Sequence, residues 1–162
     1  MAQLSEDCFA FGEGLLEIDK ALELVDERIH PMVEPEAVPL VRALGRVLAA
    51  DRIAGFDLPP YDNSAVDGYA VHFADLLPDR ETVLPVGGRA AAGHPLDRPA
   101  GRGEAIRIFT GAPMPAGPDT VMMQEDCLAE AGRVRFKPGI RQGANRRAAG
   151  EDVACGALAL PA

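Results

Sequence analysis

Leu58-Pro59-Pro60-Tyr61-Asp62-Asn63-Ser64-Ala65-Val66-Asp67-Gly68-Tyr69-Ala70-Val71 packs two carboxylates, an amide and a hydroxyl between a Pro-Pro entry and an apolar, β-prone exit. The two prolines hold φ near roughly −65° and keep the incoming chain extended. Asp62, Asn63 and Ser64 favour side-chain-to-backbone turns, so the chain is expected to bend sharply after Tyr61. Beyond Gly68, Tyr69, Val71 and Phe73 alternate with Ala70 and His72, which predicts a half-buried strand whose N-terminal end presents Asp67. A carboxylate at a rigid strand entrance suits either of two tasks. It can satisfy turn amides, or it can hold Mg²⁺ or a water beside a phosphoryl group.

Outward from this stretch the character of the chain changes. On the N-terminal side, Leu15, Ile18, Leu22, Val25 and Ile29 recur at steps of three and four with charged residues between them. That spacing predicts an amphipathic helix ended by His30-Pro31. Val38 to Val47 begins strand-like and then fits one or two helical turns. On the C-terminal side, short apolar segments separated by Gly and Pro predict strands at 68–73, 83–87, 105–109, 120–124 and 134–136. Glu130-Ala131-Gly132-Arg133 reads as the hairpin turn between the last two of them. The class is α+β: an N-terminal helical region over 1–54, a small barrel-like β domain over 55–139, and a return segment over 140–162.

Composition narrows the chemistry. A formal charge of −9 opposes binding to a phosphate backbone, which needs clustered Lys and Arg. Cys8, Cys127 and Cys155 are odd in number and lack C-x-x-C spacing, so they read as reduced thiols of a cytoplasmic protein. No apolar run approaches the ~20 residues that span a bilayer, and the acidic N-terminus lacks a secretory pattern. His30, His72 and His94 stand alone, and no metal site is expected from side chains of this chain.

Two further stretches carry polar groups at strand ends. Ile106 to Asp126, IRIFTGAPMPAGPDTVMMQED, places Thr110 and Gly111 where a strand opens into a loop, a usual position for a functional hydroxyl. Gly143 to Val153, GANRRAAGEDV, gathers Asn145, Arg146, Arg147, Glu151 and Asp152 into a charged cluster, either an ion-pair junction or an anion clamp.

With the Leu58 to Val71 stretch, these segments resemble, in the same order, three motifs of the molybdopterin molybdenumtransferases, the MoeA and gephyrin E-domain family. Pro39 to Asp51, PLVRALGRVLAAD, is a fourth, weaker match. Arg147 occupies the motif's Arg position, whereas Arg146 stands where family members often carry an apolar residue. The resemblance covers the N-terminal region only, with the molybdopterin-binding α/β domain expected beyond Ala162. It implies a β domain inserted into a discontinuous first domain, made of 1–54 and an incomplete 140–162. It also implies insertion of molybdate into adenylylated molybdopterin with release of AMP, Mg²⁺ held mostly by the missing domain, and a homodimer with composite sites. By that likeness Asp67 and Thr110 are the catalytic candidates, and Asp62, Asn63, Ser64 and Gly111 are candidates to face substrate. A chain of this extent is then expected to be inactive alone. A rival reading is a non-catalytic module for dimerisation or for binding a partner of the cofactor pathway, with neither nucleic acid nor membrane involved.

Overall fold

The computed structural model describes residues 17–30 and 32–162. Cys8, Leu15, Pro31 and the acidic N-terminal stretch lie outside the described residues. The chain divides into two compact units, Met1–Arg46 and Val47–Ala162.

In the first unit, helix α1 spans Ile18–Arg28, with Asp19 in its first turn and Arg28 in its last, both signs matching the helix dipole. Ile18, Leu22, Val25 and Ile29 form the expected stripe, and every one of them is exposed. The apolar run after Val38 makes a single 3₁₀ turn at Leu40–Arg42 rather than a strand start.

The second unit is built from β1 (Arg52–Ile53), β2 (Asn63–Ser64), β3 (Gly68–Val71), β4 (Thr82–Ala90), β5 (Ala105–Ile108), β6 (Thr120–Met123), β7 (Cys127–Glu130), β8 (Arg133–Phe136), β9 (Arg146–Arg147) and β10 (Leu158–Leu160). Six strands form one curled sheet in the order β6-β3-β5-β4-β8-β7. Two pairs, β1 with β10 and β2 with β9, form separate small ladders. All five predicted strands are present. The first is shorter than expected, ending at Val71, and is buried on both faces rather than one. The reason is its central place between β6 and β5, where Tyr69 and Val71 enter one core and Ala70 the other.

One core joins Tyr69, Val71, Leu84, Met122, Val134 and Phe136, and the second joins Ala70, Ile106, Ile108, Ala112 and Val121. The long β4 serves both halves of the sheet. Its first residues pair antiparallel with β8 and its last residues pair parallel with β5, with a register shift between Val86 and Gly88. A Cβ on Gly87 would sit 1.6 Å from a Glu104 carboxylate oxygen, so a larger residue at the bend would displace that side chain.

Arg98 pins that bend. Its two terminal nitrogens lie 2.7 Å from the two Glu104 oxygens, and Nη2 also donates to the Gly87 carbonyl. The Arg98 guanidinium, helped by the Gly101 amide, holds the Glu104 carboxyl at about 2, below its ordinary 4.5. A carboxyl depressed on folding adds stability above its unfolded pKa, and that stability is lost as pH falls from about 4.5 toward 2. Glu104→Gln is therefore expected to melt below the parent at pH 7, with the gap closing by pH 2. A gap that stays constant over that interval in a melting series would refute the assignment.

The turn Glu130 to Arg133 is a two-residue hairpin loop, as expected, but it joins β7 to β8, and β7 itself was not foreseen. Short and mostly exposed, β7 carries too little apolar alternation to be read as a strand. Ala131 at φ 48° and Gly132 at φ 75° both take the left-handed region that such a loop requires. Alanine is strained there and asparagine is tolerated, so Ala131→Asn is expected to stabilise by roughly 1 kcal/mol. Denaturant midpoints of the two proteins measure it.

No helix among the described residues is long and apolar enough to cross a membrane.

Candidate functional site

Asp67 directly precedes β3, and Thr110 follows β5, its neighbour in the sheet. Antiparallel pairing of Gly68 with Ile108 therefore brings the two together. Thr110 donates twice to the same carboxylate oxygen: its backbone N–H and its Oγ1 each lie 2.8 Å from Asp67 Oδ1. These bonds, the backbone one first, pull the Asp67 pKa below its ordinary 3.8, with the Arg107 charge assisting. Asp67 is thus ionised at neutral pH, oriented through Oδ1 and left with Oδ2 unbonded among the described residues. Behind it, the Gln124 amide donates to the Asp67 carbonyl at 3.0 Å.

The three polar stretches meet here. Ser64 N–H donates to the Ala112 carbonyl, Gly111 N–H to the Ser64 carbonyl, and Met114 N–H to the Asp62 carbonyl, which laces the first stretch to the second. Asn63 and Ser64 pair with Arg147 and Arg146, and the Ala65 amide donates to the Asn145 carbonyl, which adds the third. Asn145, at φ 58°, also donates through Nδ2 to the Val121 carbonyl and so covers the outer edge of β6.

The four other candidates stand within this lacing. Asp62 Oδ1 accepts from the Ala149 amide at 2.9 Å, and Oδ2 lies 3.5 Å from Arg146. Asn63 is buried, with Nδ2 on the Tyr61 carbonyl. Ser64 is 1% exposed and its hydroxyl donates to the Val66 carbonyl at 2.5 Å. Gly111, at φ 76°, is exposed at the loop tip. Arg147 forms ion pairs with Glu151 and Asp152, while Arg146 reaches Asp62. In this arrangement the charged cluster is an ion-pair junction.

The sequence reading missed Arg107, Gln124, Phe109 and Arg89. Arg107 donates from Nη1 to the Gly68 carbonyl at 3.2 Å and from Nη2 to Gln124 Oε1 at 2.5 Å. Its guanidinium lies over two rings, 5.2 Å from the Tyr69 centroid and 4.7 Å from that of Phe109. The signal was present in Ala105-Ile106-Arg107-Ile108-Phe109, where a lone Arg interrupts an apolar strand.

Among the described residues no three His, Cys, Asp or Glu side chains converge as a metal cage. Mg²⁺ commonly takes one or two carboxylates and completes its shell with phosphate oxygens and water, so Asp67 Oδ2 fits as a single protein ligand. The Cys127 thiol is pushed up to about 11, chiefly by burial, and is no nucleophile at neutral pH. Two surface hollows, one lined by Glu81, Glu125, Cys127 and Lys137 and one by Phe73, Leu77, Pro138 and Ile140, include no residue of the Asp67 cluster.

Comparison with known proteins gives a consistent result. Residues 16–162 match the model of the MoeA N-terminal region (domain I and II). A molybdopterin molybdenumtransferase of Haemophilus influenzae is 37% identical over 147 residues, covering 90% of this chain and 36% of the relative. The enzyme of the same name from Synechococcus elongatus is 37% identical over 153 residues, covering 90% of this chain and 38% of the relative. The crystal structure of a molybdopterin biosynthesis MoeA protein from Pyrococcus horikoshii superposes with a TM-score of 0.78 at 35% identity, over 91% of this chain and 40% of that one. The chain thus spans less than half the length of these relatives.

Proposed function

The chain belongs to the MoeA N-terminal region family, and from that premise we propose that it is the Asp67-bearing part of an enzyme that inserts molybdate into adenylylated molybdopterin and releases AMP in molybdenum cofactor biosynthesis. The observation that carries this reading is the double hydrogen bond from Thr110 to Asp67 Oδ1, which leaves an ionised, oriented carboxylate with one open oxygen at the mouth of the sheet.

In such a reaction charge develops on phosphate and oxyanion oxygens, so oriented charges and hydrogen-bond donors are the useful groups. Asp67 Oδ2 is the atom available to hold Mg²⁺ or to orient a water. Mg²⁺, when bound, supplies positive charge to the phosphate oxygens. Thr110 spends both of its donors on Asp67, so in this geometry it is a positioning residue. Asn63, Ser64 and Gly111 hold the loops that carry the pair. The remaining substrate contacts fall to regions of the relatives outside the part matched here, and a homodimer would complete the site from a second subunit. By itself the chain is then inactive.

The test is AMP release from adenylylated molybdopterin in the presence of molybdate. The 162 residues followed by a relative's remaining region are expected to release AMP, and the 162 residues alone are not. Failure of the completed chain to release AMP, once shown to be folded, would overturn the reading.

A further inference from the structure

We propose that Arg89 and Arg107, both held against the ring of Phe109, form a subsite for a doubly charged tetrahedral oxyanion beside the Asp67–Thr110 pair. The identity of the anion, the phosphate group of a nucleotide-bearing substrate or molybdate itself, rests on the function proposed above; the subsite does not.

Parallel pairing of β4 with β5 puts Arg89 opposite Arg107. Alternation along β5 puts Phe109 on the same face as Arg107. The two guanidinium carbons lie 4.8 and 4.7 Å from the Phe109 centroid, within cation–π range. Two like charges have been brought to one ring in a chain whose formal charge is −9. Side by side they repel, and a divalent anion between them removes that cost.

Neither arginine is paired with a carboxylate among the described residues, whereas Arg98, Arg102, Arg135, Arg146 and Arg147 all are. Arg107 uses one hydrogen of each Nη on neutral partners, the Gly68 carbonyl and the Gln124 amide, and keeps further donors. Arg89 has no side-chain hydrogen bond among the described residues and is exposed. An aromatic platform that holds the guanidinium stems in place lowers the ordering cost of binding, and planar forks match the oxygens of phosphate. Phe109 is joined directly to Thr110, so an anion on the two arginines is adjacent in the chain to the pair that orients Asp67. The Asp67 carboxylate reaches from the end of β3 to Thr110 beyond the end of β5, and Arg89 stands on β4, on the other side of β5.

The experiment is an amide and arginine-Nε NMR titration of the 162-residue chain at low ionic strength with inorganic phosphate, AMP and molybdate, chloride serving as the monovalent reference. Saturable shifts are expected at Arg89, Arg107, Phe109 and Thr110. Arg89→Gln is expected to weaken binding at least about tenfold, the loss of one charge-assisted contact, while Arg80→Gln leaves it unchanged. Because the Arg89 side chain makes no hydrogen bond among the described residues, the Gln variant should keep a native spectrum. Arg107→Lys, which retains charge but not the fork, is a second variant expected to weaken binding. Tighter binding of phosphate and AMP than of molybdate assigns the subsite to the substrate's phosphate, and the reverse order assigns it to molybdate. Absence of saturable shifts at these residues, or equal affinity in Arg89→Gln and the parent, overturns the subsite. Should the completed enzyme release AMP while the shifts are absent, the reaction stands and the subsite falls. Should anions bind here while the completed enzyme releases none, the subsite stands and the reaction falls.

Discussion

Asp67→Asn in the completed enzyme is expected to lower AMP release by roughly 100-fold, the scale of losing one positioned charge or proton-handling group. Asparagine keeps the size of the side chain. Its Oδ1 can still accept both bonds from Thr110, so the loop and its melting temperature should change little. What is removed is the negative charge, and Nδ2 replaces the open Oδ2 with a donor that can neither hold a cation nor accept from a water. Thr110→Ala makes the complementary change. The charge stays, but the hydroxyl bond to Oδ1 is lost and only the backbone amide orients the carboxylate. A smaller fall in turnover is expected, with the acid limb of its pH profile moved to higher pH, because the hydroxyl bond is one cause of the depressed Asp67 pKa. Turnover unchanged in both variants, measured on enzyme with parental melting temperatures, would remove Asp67 and Thr110 from the mechanism.

Gly68→Ala is expected to cost about 3 kcal/mol or more of stability, through a clash that side-chain motion cannot relieve. A Cβ at this position would lie 1.9 Å from the Met122 carbonyl oxygen and 2.9 Å from its carbon, both atoms of the neighbouring strand β6. Strands β3 and β6 share four residue pairs, with Gly68 opposite Met123, so relief means parting the ladder at the end where Asp67 stands. The Gln124 bond to the Asp67 carbonyl would go with it. Gly111→Ala is the comparison. Gly111 has a left-handed φ of 76° but open space around it, so only backbone strain of roughly 1 kcal/mol applies. Equal denaturant midpoints for the two variants would show that the close approach of β3 and β6 is not what position 68 protects.

Much of this molecule was legible in advance, because its local signals agree. Alternating apolar runs bounded by Gly and Pro marked the five main strands, and the Ala131-Gly132 turn announced a hairpin. The density of Asp, Asn and Ser before Tyr69, and a Thr at a strand end, marked both members of the Asp67–Thr110 pair. The two-residue strands β1, β2 and β9 and the three-residue β10 were not legible, since so few residues carry no period. They exist because distant segments meet, as when Asn63 and Ser64 find Arg147 and Arg146. Arg107 was visible as an oddity in an apolar strand, but its meaning depended on neighbours 38 positions earlier and 17 later, Tyr69 and Gln124.

By itself the sequence determined the N-terminal helix, the five main strands, the family and the positions of the carboxylate and hydroxyl, because each rests on residue kind and short-range order. Only the tertiary structure decided that Thr110 spends both donors on one oxygen of Asp67, that Arg146 and Arg147 are bound up in ion pairs, and that Arg89 and Arg107 share the ring of Phe109. The physical reason is that strand register, a long-range property set by which apolar faces bury together, chooses the partner of every polar side chain, and residue kind alone does not.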